Sequence, residues 1–266
     1  MIFWDAHCHL QLKKLMVHEP GWIERAVASG VRGAICNATS EDDFGEVGEL
    51  ARGYKWIHPA FGLHPWWVGG IRDGWEVRLR EVLINEITAS IGEVGLDFVV
   101  EDASWEGVGR EIQIEVFLVQ WRLSVELRRP ISIHCRKAFG CLAELLEKEG
   151  PHPVGFLLHG YGGPAEMVPR FAALGGHFSF GGALTNPSHK RVRTALQAVP
   201  LDRLHFESDA PDMPMLGADG VRLVVSQPAD LPFICRVAAD LRGTSAEELA
   251  AAAAHNSAAL FTVHWR

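Results

Sequence analysis

Near the N-terminus the segment DAHCHL sets Asp5, His7 and His9 at alternate positions. In an extended chain, residues two apart project to the same side, so two imidazoles and a carboxylate can converge there on one divalent cation. A His-x-His pair on its own can equally be a surface or satisfied core pair. The same caution applies singly to Glu93 in IGEVGLDF, an ordinary strand-end carboxylate, and to His134 in ISIHCRKA, a core histidine bonded to backbone. His159 in LLHGYGG can be a turn residue, and Asp209 in FESDAP a turn cap. Their positions relative to the chain's elements decide between these readings.

Short apolar runs at 2–5, 31–38, 56–63, 87–94, 130–135, 154–160, 175–182 and 201–209 are the strand candidates. Between them, periodic segments at 21–30, 41–53, 75–84, 110–129, 137–148, 164–174, 188–198 and 227–242 predict helices. This alternation implies parallel strands joined by crossover helices. Eight units favour closure into an α/β barrel of the TIM (β/α)8 type over an open sheet. A length of 266 residues suits one such barrel, so a single domain spanning 1–266 is expected. Residues 210–230, rich in proline and glycine, predict a long loop over one mouth. The alanine-rich stretch 245–261 predicts two short helices separated near Asn256.

A barrel of this type carries its reactive groups at the C-terminal ends of its strands. Asp5, His7 and His9 follow the first predicted strand, and His64 follows the third. Glu93 ends the fourth, His134 the fifth, His159 the sixth, and Glu207 and Asp209 the eighth. One rim receives all of them, and so many coincidences at separate strand ends are jointly improbable. The histidines and carboxylates suffice for two divalent ions, with one carboxylate bridging and a position left for water on each. Glu93 is the natural bridge, because the fourth strand lies between the two ligand groups around the ring. Many hydrolases on this barrel use a carboxylated lysine there, but no lysine lies near the end of this strand.

Taken in chain order, DAHCHL (5–10), FGLHPW (61–66), IGEVGLDF (91–98), PISIHCRKA (130–138), LHGYGG (158–163), FSFGGALT (178–185), FESDAP (206–211) and HNSAALF (255–261) resemble the TatD family. These metal-dependent hydrolases belong to the wider amidohydrolase superfamily. The resemblance runs over essentially the whole chain. It implies a distorted barrel and metal-dependent cleavage of phosphodiesters, commonly as a deoxyribonuclease that removes nucleotides from a 3′ end. Carried over by motif, His7 and His9 hold one metal, Glu93 bridges, and His134 and His159 hold the second. Asp209 ligates the first metal and poises the attacking water, which makes Asp209 and Glu93 the catalytic carboxylates. His64 meets a substrate phosphate. Arg136 either does the same or fixes its loop through a salt bridge, and Glu207 can help to hold a further ion. Two positions depart from the family: Gln11 stands where an acidic residue is usual, and Ser208 replaces a threonine. Neither departure removes a proposed ligand.

The chain carries 25 basic against 33 acidic residues, a formal net charge of −8. That balance argues against gripping long duplex nucleic acid, which needs a basic footprint. It leaves room for a nucleic-acid end or other phosphodiester at a metal centre, because bound cations invert the local charge. Five scattered cysteines without a CxxC pair fit neither a disulfide framework nor a zinc knuckle. With no signal peptide or membrane span in the sequence, a cytoplasmic protein is expected, with no membrane association and no obligate protein partner inferred. Zinc, manganese, cobalt, iron or magnesium all suit such ligands. Two rival readings stand beside the nuclease: a small-molecule amidohydrolase or lactonase using the same dinuclear centre, and a catalytically idle barrel serving as a binding component.

Overall fold

In the computed structural model, which describes residues 1–99 and 109–262, eight strands pair in chain order as one parallel sheet. They are β1 (Phe3–Cys8), β2 (Val31–Asn37), β3 (Ile57–Phe61), β4 (Ser90–Asp97), β5 (Ile131–Arg136), β6 (Phe156–Leu158), β7 (Gly176–Phe180) and β8 (Leu204–Phe206). Strands covered by helices outside and packed on each other inside must be apolar on both faces. Accordingly β4 is buried at every residue.

The helical layer comprises α1 (Lys13–His18) and α2 (Trp22–Ala28) after β1, then α3 (Phe44–Gly53), α4 (Trp75–Asn85), α5 (Arg110–Leu127), α6 (Phe139–Glu149), α7 (Val168–Ala173) and α8 (Lys190–Ala198), one after each of β2 to β7. Two more, α9 (Leu231–Arg242) and α10 (Ala246–Thr262), follow β8. This is the TIM-type barrel domain expected. Among the described residues no helix is long and apolar enough to cross a membrane.

First and last strands meet through the residues just beyond β8. Asp209 N–H donates to the His7 carbonyl at 3.0 Å, and His9 N–H to the Ala210 carbonyl at 2.7 Å. Ser208 donates through its backbone N–H to Asp5 Oδ1 and through its hydroxyl to Asp5 Oδ2. Two strands are distorted by register shifts, between Asp5 and Cys8 in β1 and between Ile91 and Val94 in β4. These breaks enclose His7 and Glu93, and a bulge of this kind re-aims a side chain that regular pleating would send elsewhere. At Gly95, with φ +140°, a Cβ would overlap the His134 carbonyl on β5, so only glycine permits the two strands to lie this close.

Boundaries shift from the sequence expectation in instructive places. β1 is longer than 2–5, so Asp5 and His7 lie inside it, and only His9 follows it. Glu93 lies within β4 rather than at its end. The C-terminal helix is continuous over Ala246–Thr262 instead of breaking near Asn256. The buried Asn256 side chain instead donates to the carbonyls of Leu201 and Leu204, bracing the approach to β8. Helix α10 also supplies Leu260 and Phe261, which pack with Ala6, Ile35, Ala60 and Leu157. These residues fill the barrel interior from beneath.

Where β7 and β8 begin, at the opposite end from the predicted site, lies a chain of polar contacts. Arg203 Nη1 donates to His177 Nε2 (3.0 Å), which leaves His177 Nδ1 as the donor to His205 Nε2 (2.9 Å) and His205 Nδ1 as the donor to Ser257 Oγ (2.8 Å). Every ring nitrogen is used with both imidazoles neutral. Burial pushes His177 down to about 4 and His205 well below its ordinary value. A histidine depressed in the folded state takes up its proton more readily when unfolded, so its contribution to stability is complete above about pH 6.5 and is lost as the pH falls toward 4. Denaturant unfolding of the wild type at about pH 7.5 and about pH 5 is therefore expected to show an acid loss that shrinks by on the order of 2 kcal/mol in His177→Gln. An undiminished loss in the variant means that these imidazoles do not govern acid stability.

Candidate metal centre

At the C-terminal mouth, neighbouring strands deliver imidazoles around one carboxylate. Glu93 Oε2 lies 3.4 Å from His7 Nε2 and 3.1 Å from His9 Nε2. Its other oxygen, Oε1, lies 2.7 Å from His159 Nε2, 2.9 Å from His134 Nδ1 and 3.3 Å from His64 Nε2. Thus one carboxylate presents a separate oxygen to each of two imidazole groups. Asp209 closes the first group, with Oδ1 3.8 Å from His7 Nε2 and 3.6 Å from His9 Nε2. Asp209 itself sits at φ +54°, a left-handed conformation that Asp tolerates better than most residues. The second group is compact, with His134 Nδ1 and His159 Nε2 3.3 Å apart.

Hydrogen bonds on the far sides of the rings determine which nitrogens keep lone pairs for a cation. His9 Nδ1 faces the Asn37 carbonyl at 2.8 Å, an acceptor only, so Nδ1 keeps its proton and Nε2 is the nitrogen a cation can take once it gives up its own. His7 Nδ1 meets Ser132 Oγ at 2.8 Å, which accepts from it when Nε2 ligates. His134 is reversed: Nε2 faces Asp97 Oδ2 at 3.2 Å, leaving Nδ1 to point at Glu93. His64 differs in kind. The Trp66 backbone N–H donates to His64 Nδ1 at 3.1 Å, so the proton of a neutral ring sits on Nε2. To ligate through Nε2, His64 would have to give up that bond. Although its position places it with Glu93 and His134 in a possible ligand group, it is built as a hydrogen-bond donor.

Facing nitrogens with lone pairs need a proton or a cation between them, and His7 Nε2 and His9 Nε2 face each other at 3.2 Å. The donor set, imidazole nitrogens and carboxylate oxygens, fits divalent transition ions, and His7, His9 and His134 have fixed outer partners, whereas His159 Nδ1 is buried without a hydrogen bond. Further clusters capable of holding an ion are His7–His9–Glu93 and His7–His159–Asp209. Electrostatics are consistent with this density of charge. Burial works to raise the Glu93 carboxyl, but the surrounding imidazoles, by charge and by hydrogen bonds such as that from His134, outweigh it and hold Glu93 well below the usual range. Burial pulls His9 down, yet the Glu93 hydrogen bond and charge, aided by Asp209, carry it up to about 9. His64 is lowered by burial to about 4 and stays neutral. Burial lifts the Asp209 carboxyl to about 7.

The remaining sequence candidates sort less uniformly. Glu207 is buried and accepts from the Ser179 hydroxyl, and among the described residues it faces a single imidazole, with His159 Nδ1 at 3.8 Å. Arg136 is half-exposed and its Nη1 lies 3.3 Å from Asp97 Oδ2, so the loop-fixing salt bridge is present. Gln11 donates to the Asn37 carbonyl and to Asp43 Oδ2, so this departure from the family pattern keeps a contact behind His9. Ser208 uses its hydroxyl to hold Asp5 and thereby the turn bearing Asp209.

Asp97 was not among the sequence candidates, although it is the central support of the second group. Its Oδ2 accepts from the Trp66 indole at 2.8 Å and faces both His134 and Arg136. Helix α5 supports the same region: Gln113 pairs with the backbone N–H and carbonyl of Asp97, and Gln120 pairs likewise with Leu63 just before His64. The available signal was two glutamines seven residues apart on the buried stripe of an apolar helix, where an amide must find partners.

Two measurements test this arrangement. Replacing Asp97 by Ala removes the acceptor that holds the His134 ring, and isothermal titration with zinc is expected to show affinity weakened by roughly 10–100-fold. Unchanged affinity would remove Asp97 from the centre's support. A cation taking His9 Nε2 displaces the proton held there up to about pH 9. Zinc uptake near neutral pH should therefore release about one proton or more, with affinity rising as the pH climbs toward 9. Titration heats that do not depend on buffer ionisation enthalpy at neutral pH contradict that ligand assignment.

A sequence model described as TatD related DNase matches residues 4–262. The chain is 30% identical over 269 residues to the Escherichia coli uncharacterized metal-dependent hydrolase YjjV, covering 98% of each. It is 26% identical over 269 residues to the zebrafish (Danio rerio) putative deoxyribonuclease tatdn3, covering 98% of this chain and 97% of that one. Among solved structures, E. coli YjjV superposes with a TM-score of 0.88 at 30% identity over 98% of both chains. A TatD family hydrolase from Entamoeba histolytica, at 19% identity and 98% coverage of each chain, shares the fold with a TM-score of 0.83. With the match running from β1 to the last turn of α10, the chain belongs to the TatD-related DNase family of metal-dependent hydrolases.

Proposed function

We propose that this protein is a phosphodiesterase that removes nucleotides from the 3′ end of single-stranded DNA, using two divalent cations. The observation that carries the reading is the division of Glu93, one oxygen toward His7 and His9 and the other toward His134 and His159. In this assignment His7, His9 and Asp209 hold one ion, His134 and His159 the other, and Glu93 bridges. The cations supply Lewis-acid stabilisation of the phosphate oxygens and bring the pKa of water toward neutrality.

The chain's own residues perform the remaining tasks. Asp209 is the least enclosed carboxylate of the cluster, with its side chain 13% exposed against 4% for Glu93, and it accepts the proton of the attacking water. His64 donates from Nε2 to a nonbridging phosphate oxygen, its tautomer held by Trp66 N–H. Arg136 adds positive charge at the edge while remaining tied to Asp97. A strand end enters such a mouth more readily than a duplex lies across a surface of net charge −8. The family description and the name of the zebrafish relative support DNA as the substrate.

The test uses full-length protein loaded with manganese or zinc and a single-stranded oligonucleotide labelled at its 5′ end. A ladder shortening from the 3′ end is expected, absent in Glu93→Ala, with His64→Ala slower on the order of 10²-fold. An intact oligonucleotide alongside hydrolysis of a lactone or amide panel replaces the nuclease by the small-molecule hydrolase. No turnover of either class, with fewer than one bound ion per chain, identifies an idle barrel.

A further inference from the structure

Beyond the mouth, an open groove of about 550 Å³ lies over the junction where the loop after β6 packs against the start of α8. Pro164, Ala165 and Glu166 line one side, and Lys190, Arg191 and Thr194 the other. Both walls grow from strand ends at the site. Gly160, directly after His159, and Gly181, directly after β7, each abut Glu207, so the two loops leave the metal cluster side by side. From Gly160 to Pro164 the chain can extend at most about 14 Å, which sets the groove within a few nucleotides of the cluster.

Its charge is the second observation. Lys190 and Arg191 are exposed, and among the described residues neither side chain has a hydrogen-bond or ion-pair partner. Some other surface cations, Arg78, Arg80, Arg122 and Arg170, are each matched to a glutamate, whereas Lys137 beside the mouth is, like Lys190 and Arg191, without an ion pair among the described residues. Glu166 also borders the groove but forms no ion pair across it, leaving a local excess of positive charge on a chain whose net charge is −8. Arg193, one turn further into α8, is occupied by the Leu184 carbonyl. Two cations without ion-pair partners at the edge of an open groove beside a phosphodiesterase site suit the regularly spaced anions of a polynucleotide backbone.

We infer that this groove binds the phosphates of the strand upstream of the scissile bond, with Lys190 and Arg191 as the contacts. The inference rests on the phosphodiesterase reading and adds to it: the enzyme prefers a chain several nucleotides long over a dinucleotide or a small diester. No base edge is read by these groups, so the contribution is independent of sequence.

The experiment compares wild type with a Lys190→Ala/Arg191→Ala double variant and a Lys190→Glu/Arg191→Glu double variant, all metal-loaded. Three probes are used: a long single-stranded oligonucleotide, a dinucleotide and bis(p-nitrophenyl) phosphate. On the long strand, KM should rise on the order of tenfold with kcat unchanged, and the dependence of log affinity on log salt should flatten by about 1.4, or 0.7 for each lost phosphate contact. The two small diesters, too short to reach the groove, should be cut as by wild type. Fluorescence anisotropy of a labelled oligonucleotide on the same proteins measures binding without chemistry, so the groove is judged even if no nucleic acid is cleaved. Wild-type strand binding that the charge reversals abolish supports the groove. A wild type that does not bind the strand, or variants that match wild type in affinity and salt slope, overturn it. Failure to cut any diester, with strand binding still lost in the variants, refutes the phosphodiesterase reading alone.

Discussion

A charged carboxylate buried at the centre of a protein is costly unless its surroundings are built to hold it, and the mouth of this barrel is organised around that demand by Glu93. The side chain is 4% exposed, yet five imidazoles on or just past β1, β3, β5 and β6 surround it within 3.4 Å. No short stretch of chain could supply them. A closed ring of parallel strands can, because every strand ends at the same mouth and each contributes one or two residues to the space between them.

Holding so many polar rings in place requires an outer set of partners. Asn37, Ser132, Asp97 and the Trp66 amide each accept from or donate to one imidazole. Those partners are held in turn: Asp97 and Leu63 by two glutamines of α5, and the turn carrying Asp209 by the Asp5–Ser208 pair. The barrel seam lies at the same place. Because β1 and β8 meet through His7, His9 and the residues after β8, the contacts that close the ring also set His7, His9 and Asp209 beside one another. A site preorganised by the fold avoids reorganisation when charge develops during reaction.

The opposite end of the barrel has a separate task. There α10 enters from beneath with Leu260 and Phe261, and His205 bonds Ser257 of the same helix. The base is packed with apolar side chains, while the mouth gathers buried imidazoles and carboxylates. Parallel strands make this separation possible, since the two ends of the sheet never exchange residues.

Much of this was legible in the chain because it depends on local pattern. Alternating apolar runs and helical periods identify the eight βα units, and the residues at the strand ends identify His7, His9, Glu93, His134, His159 and Asp209 as a set. Local pattern could not place Asp5 and His7 inside β1 or Glu93 inside β4, because the register breaks that aim them arise from pairing with β2 and β5. Nor could it find Asp97, whose role exists only once β4 and β5 lie side by side, or predict that Asn256 would brace β8 and leave α10 unbroken. The distinction between His64 and the other imidazoles is also tertiary: residue type is identical, and only the partner of the far nitrogen decides whether a lone pair or a proton faces the site. The sequence by itself determined the kinds of groups and their order around the ring. Only the folded chain decided which nitrogen points inward, because that depends on hydrogen bonds between segments far apart in sequence, such as His134 with Asp97 and His7 with Ser132.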